Sequence, residues 1–277
     1  MSVVNPLRHV GPPIGQVGPF TYGFAQHQSE IEDSLRLRHR VFVQEMGART
    51  RLIGCHQDQE RDALDPYCLH LIVRDATTDL AVASTRILTH DAAIAAGGFY
   101  SANEFDLSDV LTCPGRFMEI GRTCVDARYR GGGAIAALWA GIFELVKSDD
   151  YDHLIGCASV DLRGGLSQAY AICNAAMHAR LAPAEQRVCP RRALPQAAIP
   201  GQYPDVPRLP PLLKAYLRLG AYVGGPPCWD PDFGVADLFM HLDLAEMSPR
   251  YARHFMERPR SLPRSRARAS ASVVAIR

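Results

Sequence analysis

The sequence predicts one α/β (α+β) domain, a mixed central sheet with helices on both faces, and three observations predict it. Residues 117–125 (FMEIGRTCV) are apolar and β-prone, and a run of three glycines, Gly131 to Gly133, follows them. An apolar segment with helical spacing comes next: Ile135, Leu138, Trp139, Ile142, Phe143, Val146. Residues 153–159 (HLIGCAS) then read as a second buried strand, and two strands bridged by a helix make a parallel βαβ unit. Ahead of this unit, residues 69–74 and 80–88 flank a turn at 75–79 and read as an antiparallel hairpin, so the sheet is mixed. At 277 residues and 47% hydrophobic content the chain can bury a substantial core.

Each remaining element follows from local pattern. Residues 1–25 are rich in Gly and Pro with little periodicity and read as a flexible arm. Ser29 opens a helix whose first turn carries Glu30, Glu32 and Asp33, complementing the helix dipole. Ile31, Leu35, Leu37, Val41 and Phe42 keep its apolar face through Glu45, and Gly47 ends it. Arginines 36, 38 and 40 are unusual in a helix that packs on a core. They read either as a solvated face or as a source from which Arg38 or Arg40 turns into a cleft to meet an anion or a carboxylate. Residues 48–67 are polar and loop-like, ending in Asp62, Asp65 and Pro66. The connection 90–115 is long for a compact domain, and its Phe99, Tyr100 and Phe105 favour a packed cover. Residues 166–181 can be helical, 183–211 are Pro- and Arg-rich without one regular element, and 208–221 (RLPPLLKAYLRLGA) read as a short helix closed by Gly220. A last strand at 235–242 and a helical turn at 249–256 complete a domain spanning 26–257, and a basic tail at 258–277 is expected to be disordered.

Charge and cysteine usage exclude several classes. The net charge is +1, yet residues 258–277 carry six arginines and no acid, so the rest of the chain is net acidic and does not read as a nucleic-acid surface. No apolar run is long enough to span a bilayer and no signal pattern opens the chain, so the cytoplasm is expected. Eight scattered cysteines without a C-x-x-C pair read as free thiols in a reducing compartment. Cys55, His56, Cys68 and His70 match no common zinc spacing, and no metal is expected.

The chemistry gathers around residues 116–133. Glu119 and Arg122 share the strand, and Arg128, Gly131 and Gly133 fit R-x-x-G-x-G in the turn. A strand, a glycine turn and a helix together direct backbone N–H groups at a phosphate, although the same glycines also suit a plain tight turn. The pattern is not a dinucleotide fingerprint, since no acidic residue ends a following strand to hold a ribose.

The glycine turn resembles the pyrophosphate- and pantetheine-cradling turn of the GNAT acyltransferases. Three separated segments extend the likeness: residues 37–48 (LRHRVFVQEMGA), the strand with Glu119 and Arg122, and 209–221 (LPPLLKAYLRLGA). Together with 97–111 (GGFYSANEFDLSDVL), LWAGI, HLIGCAS and RYARHF they resemble the ornithine-lipid N-acyltransferases over residues 29–256. These are GNAT-fold enzymes that move a 3-hydroxyacyl chain from acyl carrier protein to the α-amine of ornithine. A more distant likeness is to the acyl-homoserine-lactone synthases, where Arg38, Phe42, Asp65, Arg86, Glu119 and Arg122 fall at recurring positions. Residues 234–238 (GVADL) and 161–165 (DLRGG) depart from the lipid-enzyme pattern, leaving ornithine, lysine, glycine or another amine open as acceptor.

The resemblance implies that Glu119 takes the proton from the attacking amine while strand N–H groups polarise the thioester oxygen. Arg122 and Arg86 would pair with Glu119 and Asp65 or clamp the carboxylate of the amino acid. The other reading of these groups is an ion-pair network holding the first helix to the sheet. Arg128 and Arg130, with Gly131, Gly132 and Gly133, would meet the phosphopantetheine phosphate, or be solvent-facing turn arginines. Arg38, Phe42 and Glu45 would lie on the substrate side. No bound cofactor is implied; the donor is the acyl carrier protein thioester, and the partners are that protein and an amino acid. The arginine tail would either stay solvated and disordered or rest on anionic lipid at the inner membrane, worth about 1 kcal/mol per residue. Two alternatives stand beside this reading: a lactone synthase using S-adenosylmethionine, and a non-catalytic GNAT-like binding module.

Overall fold

A computed structural model describes residues 15–49, 58–195 and 208–256. In chain order the strands are β1 (Gly15–Val17), β2 (Phe20–Phe24), β3 (Leu69–Asp75), β4 (Ala81–Thr89), β5 (Phe105–Asp106) and β6 (Phe117–Val125). They continue with β7 (His153–Asp161), β8 (Cys189–Pro190), β9 (Tyr222–Val223), β10 (Cys228–Asp230) and β11 (Val235–Asp243). The helices are α1 (Gln28–Arg38), α2 (His90–Ala96), α3 (Gly133–Ser148), α4 (Leu166–Arg180), α5 (Pro211–Leu219) and α6 (Pro249–Met256). One mixed sheet runs β1-β2-β3-β4-β6-β7-β11-β10, with β9 also on β11, and β5 pairs with β8 apart from it.

Alternation along the strands assigns the faces. Leu69, Leu71 and Val73 of β3 pack under α3, as do Leu154 of β7 and Leu238 and Met240 of β11 under the layer of α3, α4 and α5. Trp139 of α3 meets Tyr216 of α5 edge to face at 5.2 Å, so this layer is continuous. The opposite face is covered by α1, whose Ser34 bonds Ser84 of β4 and whose Asp33 pairs with Arg74 of β3. Beside α1 the segment 90–115 closes the same face, with Phe99, Phe105, Leu107 and Val110 packed on Phe117, Ile155 and Phe239. The expected cover is therefore a packed one.

The parallel pair at the centre stops early. β6 and β7 are in register only from Phe117↔His153 to Glu119↔Ile155, and then both run on to Val125 and Asp161 without pairing. Each stays tied to its outer neighbour: β6 to β4 through Val125, β7 to β11 along its whole length. The register of β4 on β6 slips between Ser84 and Arg86, opposite Arg122, which sits at φ 50°. A bulge bends and twists its strand, and here it carries β6 away from β7. The result is a V-shaped gap with Glu119 at its apex.

An ion lattice on the α1 face anchors this bend. Arg38 donates to Glu60 and, at 2.6 Å, to Asp65; Arg86 donates to Asp62 at 2.5 Å and Asp65 at 2.9 Å. Arg122 donates to Glu60 at 3.3 Å and Asp62 at 3.1 Å. Three arginines from α1, β4 and β6 thus alternate with three acids from the loop before β3, and Arg38 is only 1% exposed. Burial alone would raise the carboxyls of Asp65 and Asp62, but the arginines hold both below the ordinary carboxylate value.

Several expectations need correction. Residues 15–24 are not an arm: β1 and β2 extend the sheet, Phe20 to Phe24 pairing with β3 through alternately buried side chains. Residues 1–14 and the tail 258–277 lie outside the described residues. The first helix does not stay α-helical to Glu45; from His39 it widens into a π-turn, which aims Phe42 inward. Arg122 does not pair with Glu119, because the bulge turns its side chain toward the loop acids.

Removing Arg38 takes one of two arginine partners from each of two buried carboxylates, Glu60 and Asp65, so Arg38→Ala should destabilise the chain by roughly 3 kcal/mol in urea unfolding. A loss below about 1 kcal/mol would show that the lattice does not hold the fold. A second outcome concerns His241 on β11, fully buried against His153 at 3.2 Å. Burial and the neighbouring His153 push its pKa from 6.5 to about 4. The unfolded chain takes up that proton first, so the stability His241 contributes is complete above 6.5 and lost as pH falls toward 4. In His241→Gln the slope of stability against pH in that window should flatten by up to about 1.4 kcal/mol per unit, read from unfolding curves at stepped pH.

Candidate active site

The gap between β6 and β7 opens on a cleft holding about 580 Å³ of atom-free space, part of it open to solvent. Beyond Glu119 the facing edges of the two strands carry backbone N–H and C=O groups that no neighbouring strand takes up, as at any sheet edge. Gly156 is needed at the mouth of the V: a Cβ there would stand 2.3 Å from the carbonyl oxygen of Ile120.

Glu119 lines this cleft and is 3% exposed. Its carboxylate accepts from the backbone N–H of Tyr100 at 2.5 Å, from that of Ser101 at 2.8 Å, and from the Ser101 hydroxyl at 2.5 Å. Burial raises its pKa and these bonds offset the rise only in part. The cover therefore fixes the carboxylate in position and leaves it more proton-loving than an ordinary glutamate. Arg122 fills one wall, its guanidinium 4.8 Å from the Tyr100 ring and 4.7 Å from the Phe233 ring. Phe42 meets Phe233 edge-on at 5.6 Å and completes that wall.

Arg38, Arg86 and Asp65 stand behind the cleft in the ion lattice rather than lining it. Arg128, Arg130 and the three glycines stand at the far end of β6, six residues past Glu119, which is roughly 20 Å of strand. There Asp126 accepts from the Arg128 backbone N–H and its guanidinium, while Arg130 forks onto Glu45 at 2.5 and 2.8 Å. Gly132 takes φ +99°, where a side chain would be strained, and Gly133 begins α3 so close to the sheet that a Cβ would sit 2.8 Å from the Phe20 ring. The first N–H groups of α3 have no acceptor within the helix, and residues 130–132 just before it are exposed.

The structure adds residues that the sequence did not single out. Glu104 from the cover, Asp230 from β10 and Asp237 from β11 bring carboxylate oxygens within 4.8 Å of one another at the cleft. Asp237 accepts from the Ser159 hydroxyl at 2.6 Å. Its signal was an acid inside an otherwise apolar strand, VADLFMHL. Burial, and for Asp237 the adjacent Glu104, raise the pKa of both Glu104 and Asp237. Cys157 also lines the cleft, but burial pushes its thiol far up, which leaves it a poor nucleophile. Seven described cysteines are free thiols, and Cys55 lies outside the described residues.

Known proteins are similar to this chain in sequence. The acetyltransferase (GNAT) domain model matches residues 37–140, which hold the ion lattice, β6, the glycine turn and the start of α3. The chain is 32% identical over 257 residues to the L-ornithine N(alpha)-acyltransferase of Brucella abortus (strain 2308), covering 87% of this chain and 90% of that one. It is 33% identical over 258 residues to the protein of the same name from Agrobacterium fabrum, covering 87% and 86%. For the one from Rhodobacter capsulatus the identity is 33% over 246 residues, covering 84% and 93%. The solved acyl-homoserine-lactone synthase LasI is similar at 12% identity over 81% of this chain and 89% of that one, with a TM-score of 0.47, a likeness that decides nothing about the reaction. Identity of this order, sustained along nearly the whole of both chains, makes this protein a GNAT-fold acyltransferase belonging to the L-ornithine N(alpha)-acyltransferase family.

Proposed function

We propose that the chain transfers a (3-hydroxy)acyl group from acyl carrier protein to the α-amine of ornithine, the first step toward an amino-acid lipid. The observation that carries this reading is the V between β6 and β7, with a positioned carboxylate at its apex and a glycine turn leading into the uncapped N-terminus of α3 at its far end. The pantetheine arm carries amides, so it can lie along the free edge of β6 as an added strand would. Its phosphate then reaches the N–H groups at 131–134, with Arg128 and Arg130 at the rim. On the α3 side Ile120, Leu138, Trp139, Leu212 and Tyr216 give an apolar surface past which the acyl chain would leave the V.

The neutral amine attacks the thioester carbon; the C–N bond forms, the C–S bond breaks, and the pantetheine thiolate leaves. Glu119 takes a proton from the nitrogen, directly or through a water, and its raised pKa suits that task near neutral pH. Strand N–H groups beside the apex stabilise the oxyanion. Arg38, Arg86, Asp65 and Arg122 act by holding the bend of β6, with Phe42 against the acceptor and Glu45 steadying Arg130. No described helix is long and apolar enough to cross a membrane. Product release onto the anionic inner leaflet, aided by the arginine tail, belongs to the same proposal. The lactone-synthase alternative is the weaker, because the relatives at 31–33% identity carry the ornithine name.

Glu119→Gln should lower turnover at least tenfold in a chain that still folds, at a lower melting temperature because the amide NH2 faces a cover N–H that the carboxylate accepted from, assayed with 3-hydroxyacyl carrier protein, ornithine and mass spectrometry of the amide. Undiminished turnover would remove Glu119 from the mechanism. Gly132→Val, strained at φ +99°, should raise the KM for the acyl donor several-fold and leave the KM for ornithine unchanged. The opposite pattern would move the phosphate site elsewhere.

A further inference from the structure

Beside the ion lattice, where acids and arginines balance, the Glu104, Asp230 and Asp237 cluster is unbalanced. Among the described residues none of the three is in an ion pair, although their oxygens lie within 4.8 Å of one another. Asp230 spends one oxygen on the backbone N–H groups of Asp232 and Phe233, and Asp237 has the Ser159 hydroxyl. Glu104 is 8% exposed; the Tyr100 hydroxyl and the Cys157 thiol stand beside its carboxyl, yet its Oε2 is buried without a hydrogen bond. An unpartnered carboxylate oxygen in the protein interior costs on the order of 1–3 kcal/mol or more, so it calls for a donor. All three acids line the cleft that also holds Glu119.

We infer that Glu104, Asp230 and Asp237 form the subsite for the side-chain ammonium of the acceptor, and so select a diamino acid over a neutral one of the same length. The inference rests on the acyl transfer proposed above and adds the residues that set its acceptor. An alkylammonium has three N–H donors and no acceptor, which matches three converging carboxylates. A hard divalent cation would want six or more oxygens, whereas Tyr100 and Phe233 supply aromatic carbon to the same cleft. Glu104 and Asp230 also face a surface groove shared with Arg191 and Arg192, which gives an amino acid an entry whose rim suits its carboxylate. Burial raises the pKa of Glu104 and Asp237, and a seated cation favours their ionised forms. The pocket thus rewards the charge that a neutral amino acid lacks.

The test compares ornithine with norvaline, which has the same carbon chain without the δ-amine, using 3-hydroxyacyl carrier protein and measuring kcat/KM in wild type, Glu104→Gln, Asp237→Asn and Asp230→Asn. The wild type is expected to favour ornithine at least 100-fold. Glu104→Gln and Asp237→Asn should shrink that ratio at least tenfold, chiefly through the KM for ornithine. A ratio that stays constant while both rates fall would overturn the subsite, since the acids would then serve the α-amine or the fold. Both substitutions are near-isosteric and relieve the crowding of three acids at one place, so melting temperatures should hold or rise. Should either variant fail to fold, the half-buried Asp230→Asn and the thermal shift of wild type with ornithine against norvaline decide the same question. Stabilisation by Mg²⁺ or Mn²⁺ and none by ornithine would replace the ammonium with a metal. A wild type that acylates both acceptors equally refutes the subsite and leaves the transfer standing. One that acylates no amino acid refutes the transfer itself.

Discussion

Arg122 must be held in a backbone conformation that non-glycine residues seldom adopt, and the geometry of the cleft follows from how it is held. At φ 50° the residue stores strain, and a strained position persists only where its surroundings over-determine it. Here the guanidinium bonds Glu60 and Asp62 and lies between two aromatic rings, Tyr100 and Phe233. Those acids are in turn held by Arg38 and Arg86, which root the lattice in α1 and β4. The bend of β6, its parting from β7, and the free strand edges that follow are consequences of one balanced set of buried charges.

Two neighbouring groups of charge illustrate how burial divides roles. In the lattice Asp62 and Asp65 face arginine, so their pKa values are held low and the cost of desolvation is offset within the fold. Around the cleft, Glu119, Glu104 and Asp237 are equally buried but lack an arginine of their own, and their pKa values rise. Carboxyls of the first kind hold structure. Those of the second kind line the cleft without a fixed counter-ion, the pattern of a candidate functional site.

The glycine turn makes a separate contribution through close packing. Gly133 lets α3 start against Phe20, and Gly141 brings the helix onto Leu71, where a Cβ would stand 2.7 Å from the leucine side chain. The edge hairpin formed by β1 and β2 therefore supports the helix whose N-terminus faces the turn. The same helix packs Trp139 on α5, forming the apolar surface beneath the V.

Periodicity, glycine placement and strand composition were enough, from residues alone, to determine the strand, turn and helix at 117–148, the hairpin ahead of them, the parallel strand after them and the packed cover. These are local or near-local patterns, and the physics that produces them acts over a few residues. Glu119 and Arg122 stood out for the same reason, as charges inside an apolar strand. Tertiary structure alone decided their partners. Arg122 meets Glu60, 62 positions away, while Glu119 meets backbone N–H groups of the cover. Strand composition did not disclose the bulge, since its positive φ is imposed by contacts from three other elements. Nor could it reveal that Glu104, Asp230 and Asp237 converge, because three acids scattered over more than a hundred residues become one site only when separate strands and a loop bring them to the same cleft.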